Sequence, residues 1–307
     1  MKKIKKSRRT KKLVILLFTL CLILGASISG WIIWHDSLMT KYIPVKKVKA
    51  KVLKKVKPKH AKPILTKTII REPTNHIQTA DSYAFKTIDI RQKMKGPLNP
   101  NKPKIVFLTF DDGPSTNNTP KVLKILAQNN VHATFFLVGN RITAQSQNLV
   151  KQAYQNGNGI GIHSFTHDYK ILYPNNVPNA QTILNEALQT RTLLKSVLGP
   201  NFNTGVWRYP GGTMSWKNLA VSENLLQKNG FNWMDWNAAD GDGMGLRAPK
   251  SVQDAMSYHA MSITVYPQSN VEVVLMHDSD DKDVTVATLP ELIKYYKTRG
   301  YQFGILE

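Results

Sequence analysis

The sequence predicts an α/β domain built on a barrel-like parallel sheet, carried behind a strongly basic N-terminal arm. Three observations predict it. From Lys104 onward, apolar runs of strand length alternate with stretches of helical spacing, as βα units require. The stretch Ile105 to Pro114, IVFLTFDDGP, is an apolar run closed by turn residues, which reads as a strand buried on both faces. Aspartate, histidine and arginine recur just after such runs, where a parallel sheet gathers ligands and catalytic groups.

The elements follow in order. Residues 119–130 place Val122, Leu123, Ile125 and Leu126 at helical spacing, and 133–138 form the next strand. A helix over 144–156 leads into a glycine-rich third strand that ends at His163. The spacing predicts a helix over 180–198, a short strand over 205–208, a helix near 217–229 and a strand over 231–236. A helix-like stretch starts at Ser251, and the run VEVVLM over 271–276 ends at His277. A last helix over 285–299 and a strand over 301–306 complete about seven βα units, enough to curl a parallel sheet towards a barrel.

Charge divides the chain. Of the net +22, residues 1–72 carry +18, because they hold 20 Lys and Arg against Asp36 and Glu72 alone. The folded part is therefore close to neutral, which argues against reading the whole protein as a nucleic-acid binder, since that would need a basic folded face. The single cysteine, Cys21, rules out a disulfide framework within the chain and a cysteine-based zinc site. Eight positive residues in 1–12 precede 22 uncharged residues, 13–34, long enough at about 1.5 Å per residue to cross a bilayer core of about 30 Å. Residues 1–12 are thus expected in the cytoplasm, 13–34 as an anchor and the rest outside the cell. A cleaved secretory signal is the alternative. Residues 35–103 read as a basic stalk and linker; its lysines repel one another, and they suit an anionic wall polymer or lipid headgroups as well as plain solvent. Within them, 73–103 read as linker or as a small N-terminal addition to the domain of 104–307.

The chemistry is placed by position. Asp111 and Asp112, His163, Arg208, Asp240, Asp242 and His277 all follow apolar strands, so a parallel barrel would bring them to one rim. Adjacent aspartates need a nearby cation to ionise together, although Asp before Gly-Pro is also ordinary turn chemistry. His163 and His167 stand four apart, and two imidazoles with one carboxylate are a common zinc set that leaves a position for water. His132 and His259 read as structural, and His76 falls in the arm.

With TFDDGP at 109–114, HSFTH at 163–167, RYPGG at 208–212 and LMHD at 275–278, residues 104–307 resemble polysaccharide deacetylases of the NodB-homology type, carbohydrate esterase family 4. The resemblance implies a distorted (β/α) barrel that removes acetyl groups from polymers such as peptidoglycan, chitin or xylan. It implies one divalent metal, zinc first, with cobalt, nickel or manganese as alternatives. By position, Asp112, His163 and His167 become the metal ligands and Asp111 the general base. His277 becomes the general acid, Arg208 braces Asp111, and the Tyr209 amide, leading into Pro210 and Gly211, holds the oxyanion.

One motif departs from the family. Its Asp-Trp-like segment aligns Asp242 with the aspartate that orients the catalytic histidine, and leaves Gly243 where a groove-lining Trp is common. Asp235-Trp236 is a competing match, placed within a strand rather than after it. The expected substrate is N-acetylglucosamine of peptidoglycan, because the arm would hold the domain in the wall. Chitin-like oligosaccharides, another surface polysaccharide and the muramic acid residue are the alternatives. An inactive wall-binding protein would require a damaged site, and these residues are all present. A two-carboxylate glycosidase needs its carboxylates about 5 Å or more apart across a sugar, which neighbours in sequence serve poorly.

Overall fold

A computed structural model describes residues 72–265 and 268–307. The expected membrane anchor and nearly all of the basic stalk lie outside the described residues. Among those described, no helix is long and apolar enough to cross a membrane.

The described strands run in chain order as β1 (Ala84–Phe85), β2 (Lys104–Asp111), β3 (Ala133–Leu137), β4 (Gly159–Ile162), β5 (Val206–Trp207), β6 (Asn232–Trp233), β7 (Ala238–Ala239), β8 (Val271–His277), β9 (Tyr301–Phe303) and β10 (Ile305–Leu306). The main sheet has the order β6-β5-β4-β3-β2-β8-β7, with β9 also on β2 and every pairing parallel. Helices connect the other successive strands, but none lies between β6 and β7 or between β9 and β10. The helix Thr119–Asn129 opens with a proline in its first turn and closes on Asn130 in the left-handed region, φ 52°. The long helix Ala180–Leu198 is capped by the Asn179 side chain, which accepts from Thr182 N.

The sheet is a curled half-barrel and not a closed one, because β6 and β7 do not pair. The reason lies in the segment between them. Carbonyls of Met234 and Asp235, which would serve a ladder, accept instead from the Arg208 guanidinium at 2.9 and 3.1 Å. Asn237 spends its side chain on the β8 backbone, accepting from Val273 N and donating to Val271 O. The expected terminal strand is split at Gly304, where a Cβ would sit 2.7 Å from Phe107 and 2.9 Å from Phe85.

Alternation along β2 divides its side chains. Val106, Leu108 and Phe110 face the helices, while Ile105 and Phe107 face the concave interior. That interior is an apolar floor of Phe107, Phe136, Val206, Met234, Val273 and Leu306, closed from one end by Ile90 of the helix Thr87–Met94. Residues 74–94 are therefore an addition to the domain, the second of the two alternatives. β1 pairs with β10, and Ile90 is fully buried. His76, expected in the arm, is buried in the same unit, 3.1 Å from Asp81.

Candidate active site

The alternation on β2 continues upward. Two residues beyond Phe107 comes Thr109, and two beyond that Asp111, so both rise from the apolar floor on the concave side. On β8, in register with β2, Asp111 stands opposite His277. Asp112 then breaks the alternation with φ 69°, a left-handed conformation that Asp tolerates better than most residues. The break sends consecutive carboxylates into different roles.

Asp111 is buried and held by Arg208, whose Nη1 donates to its Oδ1 at 2.7 Å. Arg208 is itself fully buried. Its other bonds go to Thr109 Oγ1 at 2.8 Å and to the Met234 and Asp235 carbonyls, and its guanidinium lies 4.0 Å from the Phe136 ring centroid. A guanidinium with four hydrogen bonds of this kind is a fixed brace, because moving it would strand a buried charge.

Asp112, His163 and His167 form the one metal-capable cluster among the described residues, with their ligand atoms within 4.8 Å of one another. Asp112 Oδ1 is 3.7 Å from His163 Nε2 and 3.3 Å from His167 Nε2. Donors each about 2 Å from a tetrahedral ion stand close to that far apart. Asp112 Oδ1 is also buried with no hydrogen-bond partner, a cost that a cation would remove. His163 Nδ1 bonds the Arg208 carbonyl at 2.9 Å, which fixes the tautomer and leaves Nε2 free. Burial, reinforced by the neighbouring His163, lowers the His167 pKa to about 4, so its imidazole is neutral and able to ligate at neutral pH. Burial alone would raise the Asp112 carboxyl, but His163, His277 and His167 reverse this and hold it below its ordinary value. The residues fit a divalent metal.

His167 reaches the cluster from a loop, not a helix. Ser164 and His167 both have positive φ, 72° and 57°, and Ser164 Oγ accepts from His167 N. Glu186, from the helix Ala180–Leu198, clamps this loop by accepting from the backbone of Phe165 and Thr166 and from the Thr166 hydroxyl. Sequence reasoning missed Glu186, although a signal existed. It lies on the same helical stripe as Ile183, Ala187 and Thr190, an odd place for a carboxylate unless it has a buried task.

His277 faces the cluster from β8. Its Nδ1 meets Asp242 Oδ1 at 2.7 Å, its backbone N–H donates to Asp242 Oδ2, and Thr285 donates to that same oxygen. Burial disfavours the imidazolium, but the charge and hydrogen bond of Asp242 outweigh it and raise His277 to about 10. Asp242 thus stands where sequence alignment put it. The competitor Asp235 is occupied elsewhere, accepting from Thr213. Asp240 accepts from Asp242 N, and its burial and the Asp242 charge push its own carboxyl up. A Cβ at Gly243 would lie 3.2 Å from His277 Cε1, so this glycine leaves the ring uncrowded.

Strand pairing by β5 ends where Arg208 N donates to Ile162 O, one residue before Tyr209. A tight turn follows, with Gly212 N donating to Tyr209 O at 2.7 Å, and the Tyr209 hydroxyl bonds Ser222 beneath it. Pro210 O accepts from Trp216 Nε1, and Gly211 has φ 81°. His132 and His259 lie apart from the site, the first stacked on Tyr83 and the second bonded to the Tyr296 hydroxyl.

A parallel half-barrel with a His2Asp cluster, a braced carboxylate and a carboxylate-supported imidazole at its rim has the groups of a hydrolase site. Residues 98–230 match the polysaccharide deacetylase family. A peptidoglycan-N-acetylglucosamine deacetylase of Bacillus cereus is 30% identical over 217 residues, covering 70% of this chain and 74% of that protein. The putative polysaccharide deacetylase YheN of Bacillus subtilis is 34% identical, covering 66% of this chain and 67% of its own. Among solved structures, a carbohydrate esterase family 4 enzyme of Streptococcus mutans superposes with a TM-score of 0.73 at 45% identity, covering 77% of this chain and 98% of that one. The chain belongs to the polysaccharide deacetylases of the NodB-homology type, carbohydrate esterase family 4.

Proposed function

We propose that the protein removes the N-acetyl group from N-acetylglucosamine residues of peptidoglycan, using a divalent metal, zinc first, held by Asp112, His163 and His167. The observation that carries this reading is that Asp111 stands opposite His277 in the strand register and 3.6 Å from Nε2 of the candidate ligand His163. When bound there, the metal supplies a Lewis acid for the acetyl carbonyl and makes water nucleophilic near neutral pH.

The chain's own residues carry the protons. Asp111, fixed by Arg208, accepts a proton from the attacking water. The Tyr209 amide donates to the oxygen that gains charge as the carbonyl carbon becomes tetrahedral. His277, with Nδ1 engaged by Asp242, donates from Nε2 to the departing amine nitrogen, and the C–N bond breaks to give acetate and a free amino sugar. The two proton carriers work separately because their neighbours differ: a guanidinium holds one carboxylate in place, and a carboxylate keeps the imidazole charged.

The substrate rests on the deacetylases this chain resembles and on the arm. Residues 13–34 would anchor it as a single-pass membrane protein with its domain outside the cell, and the basic stalk would lie against anionic wall polymer. The test is acetate release by the full chain from purified peptidoglycan, with and without chelator, followed by mass analysis of the muropeptides. Chelator-sensitive release with loss of acetyl from glucosamine units supports the reading. Release from muramic acid units, or only from chitin-like oligomers, replaces the substrate, and release that survives metal removal overturns the chemistry.

A further inference from the structure

Strand order sets a loop on each side of Asp112. β2 lies between β3 and β8, so the turn Gly139–Arg141 after β3 and the loop 278–282 after β8 flank the residue that follows β2. A cleft of about 640 Å³ lies there, and its lining includes Asp112 itself, Arg141, Asp280, Asp281 and Lys282. Asp112 is thus a wall of this cleft as well as a candidate metal ligand.

Most charges in the cleft already have partners. Lys282 donates to the Asp242 carbonyl at 3.1 Å and lies 3.2 Å from Asp281 Oδ2, while Asp281 also accepts from the Ser279 hydroxyl. Asp280 accepts from Asn117 N. Arg141 differs. Its Nη1 donates to the Asp112 carbonyl at 2.8 Å, and its own carbonyl accepts from the Ser146 hydroxyl, so both ends of the residue are anchored. Yet it is exposed and, among the described residues, forms no ion pair. A guanidinium carries several N–H donors in a rigid fork, and most of this one's capacity is unused. A cation fixed beside residues that fit a divalent metal is repelled by that metal, and an arriving anion relieves the repulsion.

We propose that Arg141 is a specificity residue, pairing with a carboxylate on the sugar next to the one whose acetamide is attacked, so that an acidic N-acetylated polymer is favoured over a neutral one. Peptidoglycan supplies that group on every second sugar, as the lactyl carboxyl of muramic acid or a carboxyl of the peptide attached to it; chitin supplies none. Arginine takes a carboxylate bidentately, which orients the neighbouring sugar as well as attracting it. Asp280 and Asp281, on the other loop, repel the same group and steer it towards Arg141. This deepens the deacetylase reading and rests on it for the reaction.

The test gives the full chain, loaded with zinc, three tetrasaccharides: an N-acetylglucosamine tetramer, a peptidoglycan tetramer stripped of peptide, and the same tetramer with its peptides. In the wild type at low ionic strength, kcat/KM should be about fivefold higher for at least one acidic tetramer than for the neutral one, the upper range for an exposed ion pair. That advantage should shrink in about 1 M salt, where charges are screened within about 3 Å. A gain without peptide names the lactyl carboxyl, and a gain only with peptide names the peptide carboxyl. Arg141→Gln, compared at matched metal per chain, should bring the ratio towards one through KM, and Arg141→Lys should restore part of it. No acidic preference in the wild type, a preference untouched by salt, or an Arg141→Gln variant that keeps it overturns the proposal. If no tetramer releases acetate, the deacetylase reading fails by itself, and calorimetric binding of the same tetramers to metal-free protein decides Arg141. Tighter binding of an acidic tetramer that Arg141→Gln abolishes supports the pairing, and equal binding of all three overturns it.

Discussion

Asp111 and His277 are register partners on adjacent parallel strands, so the ladder between β2 and β8 sets the distance between the two groups proposed to carry protons. Neither depends on a loop for its placement. His277→Gln should therefore lower kcat by about 10²- to 10⁴-fold, the usual worth of a general acid. Bound metal per chain should stay at the wild-type level, since His277 is not a ligand. Metal analysis beside acetate release checks both halves, and retained turnover would remove His277 from the mechanism.

The pH dependence follows from Asp242. His277 must be protonated to donate, so its contribution is present below its folded pKa and lost as pH rises through about 10. Asp242→Asn removes the charge that holds that value up. The alkaline limb of kcat should then move towards lower pH, which a pH–rate profile would show directly. The same sign applies to stability. Raised from 6.5, His277 adds stability that is complete below about 6.5 and lost between there and about 10, and Asp242→Asn should flatten that dependence in thermal melts.

Metal retention should follow the ligand cluster and not the histidine count. His163→Ala and His167→Ala should each leave the protein largely metal-free after dialysis, whereas His132→Ala, at a ring stacked on Tyr83, should retain the metal. An unchanged metal content in either cluster variant would contradict the assignment.

Ile90 tests whether residues 74–94 belong to the folded unit. It is fully buried against Phe107, Phe136 and Val273, so Ile90→Ala should cost about 2–5 kcal/mol in denaturant unfolding. A change below about 0.5 kcal/mol would mean that the helix Thr87–Met94 is not part of the core.

The parts legible in the sequence were those with a short-range signature. The long apolar run of β2 announced a strand buried on both faces, and the polar residues ending the strands announced the rim. The opening of the barrel had no such signature, because it depends on Arg208 bonding the Met234 and Asp235 carbonyls from 26 and 27 residues away. Thr109 and Thr285 were equally silent. Each is an ordinary threonine until Arg208 or Asp242 arrives from a distant element. The segment 74–94 was ambiguous because its composition is mixed and turn-rich, and its burial is scattered over Asn75, His76, Ala80, Thr87 and Ile90 with no periodic pattern.

The central claim is that one aspartate serves the metal and its neighbour serves the proton. Acetate release by Asp111→Asn, compared with wild type at matched metal content, tests it most directly. The expected result is a variant that binds a full complement of metal and releases acetate at a rate lower by about 10²-fold or more. Wild-type release by that variant, or loss of its metal, would contradict the division of labour between Asp111 and Asp112.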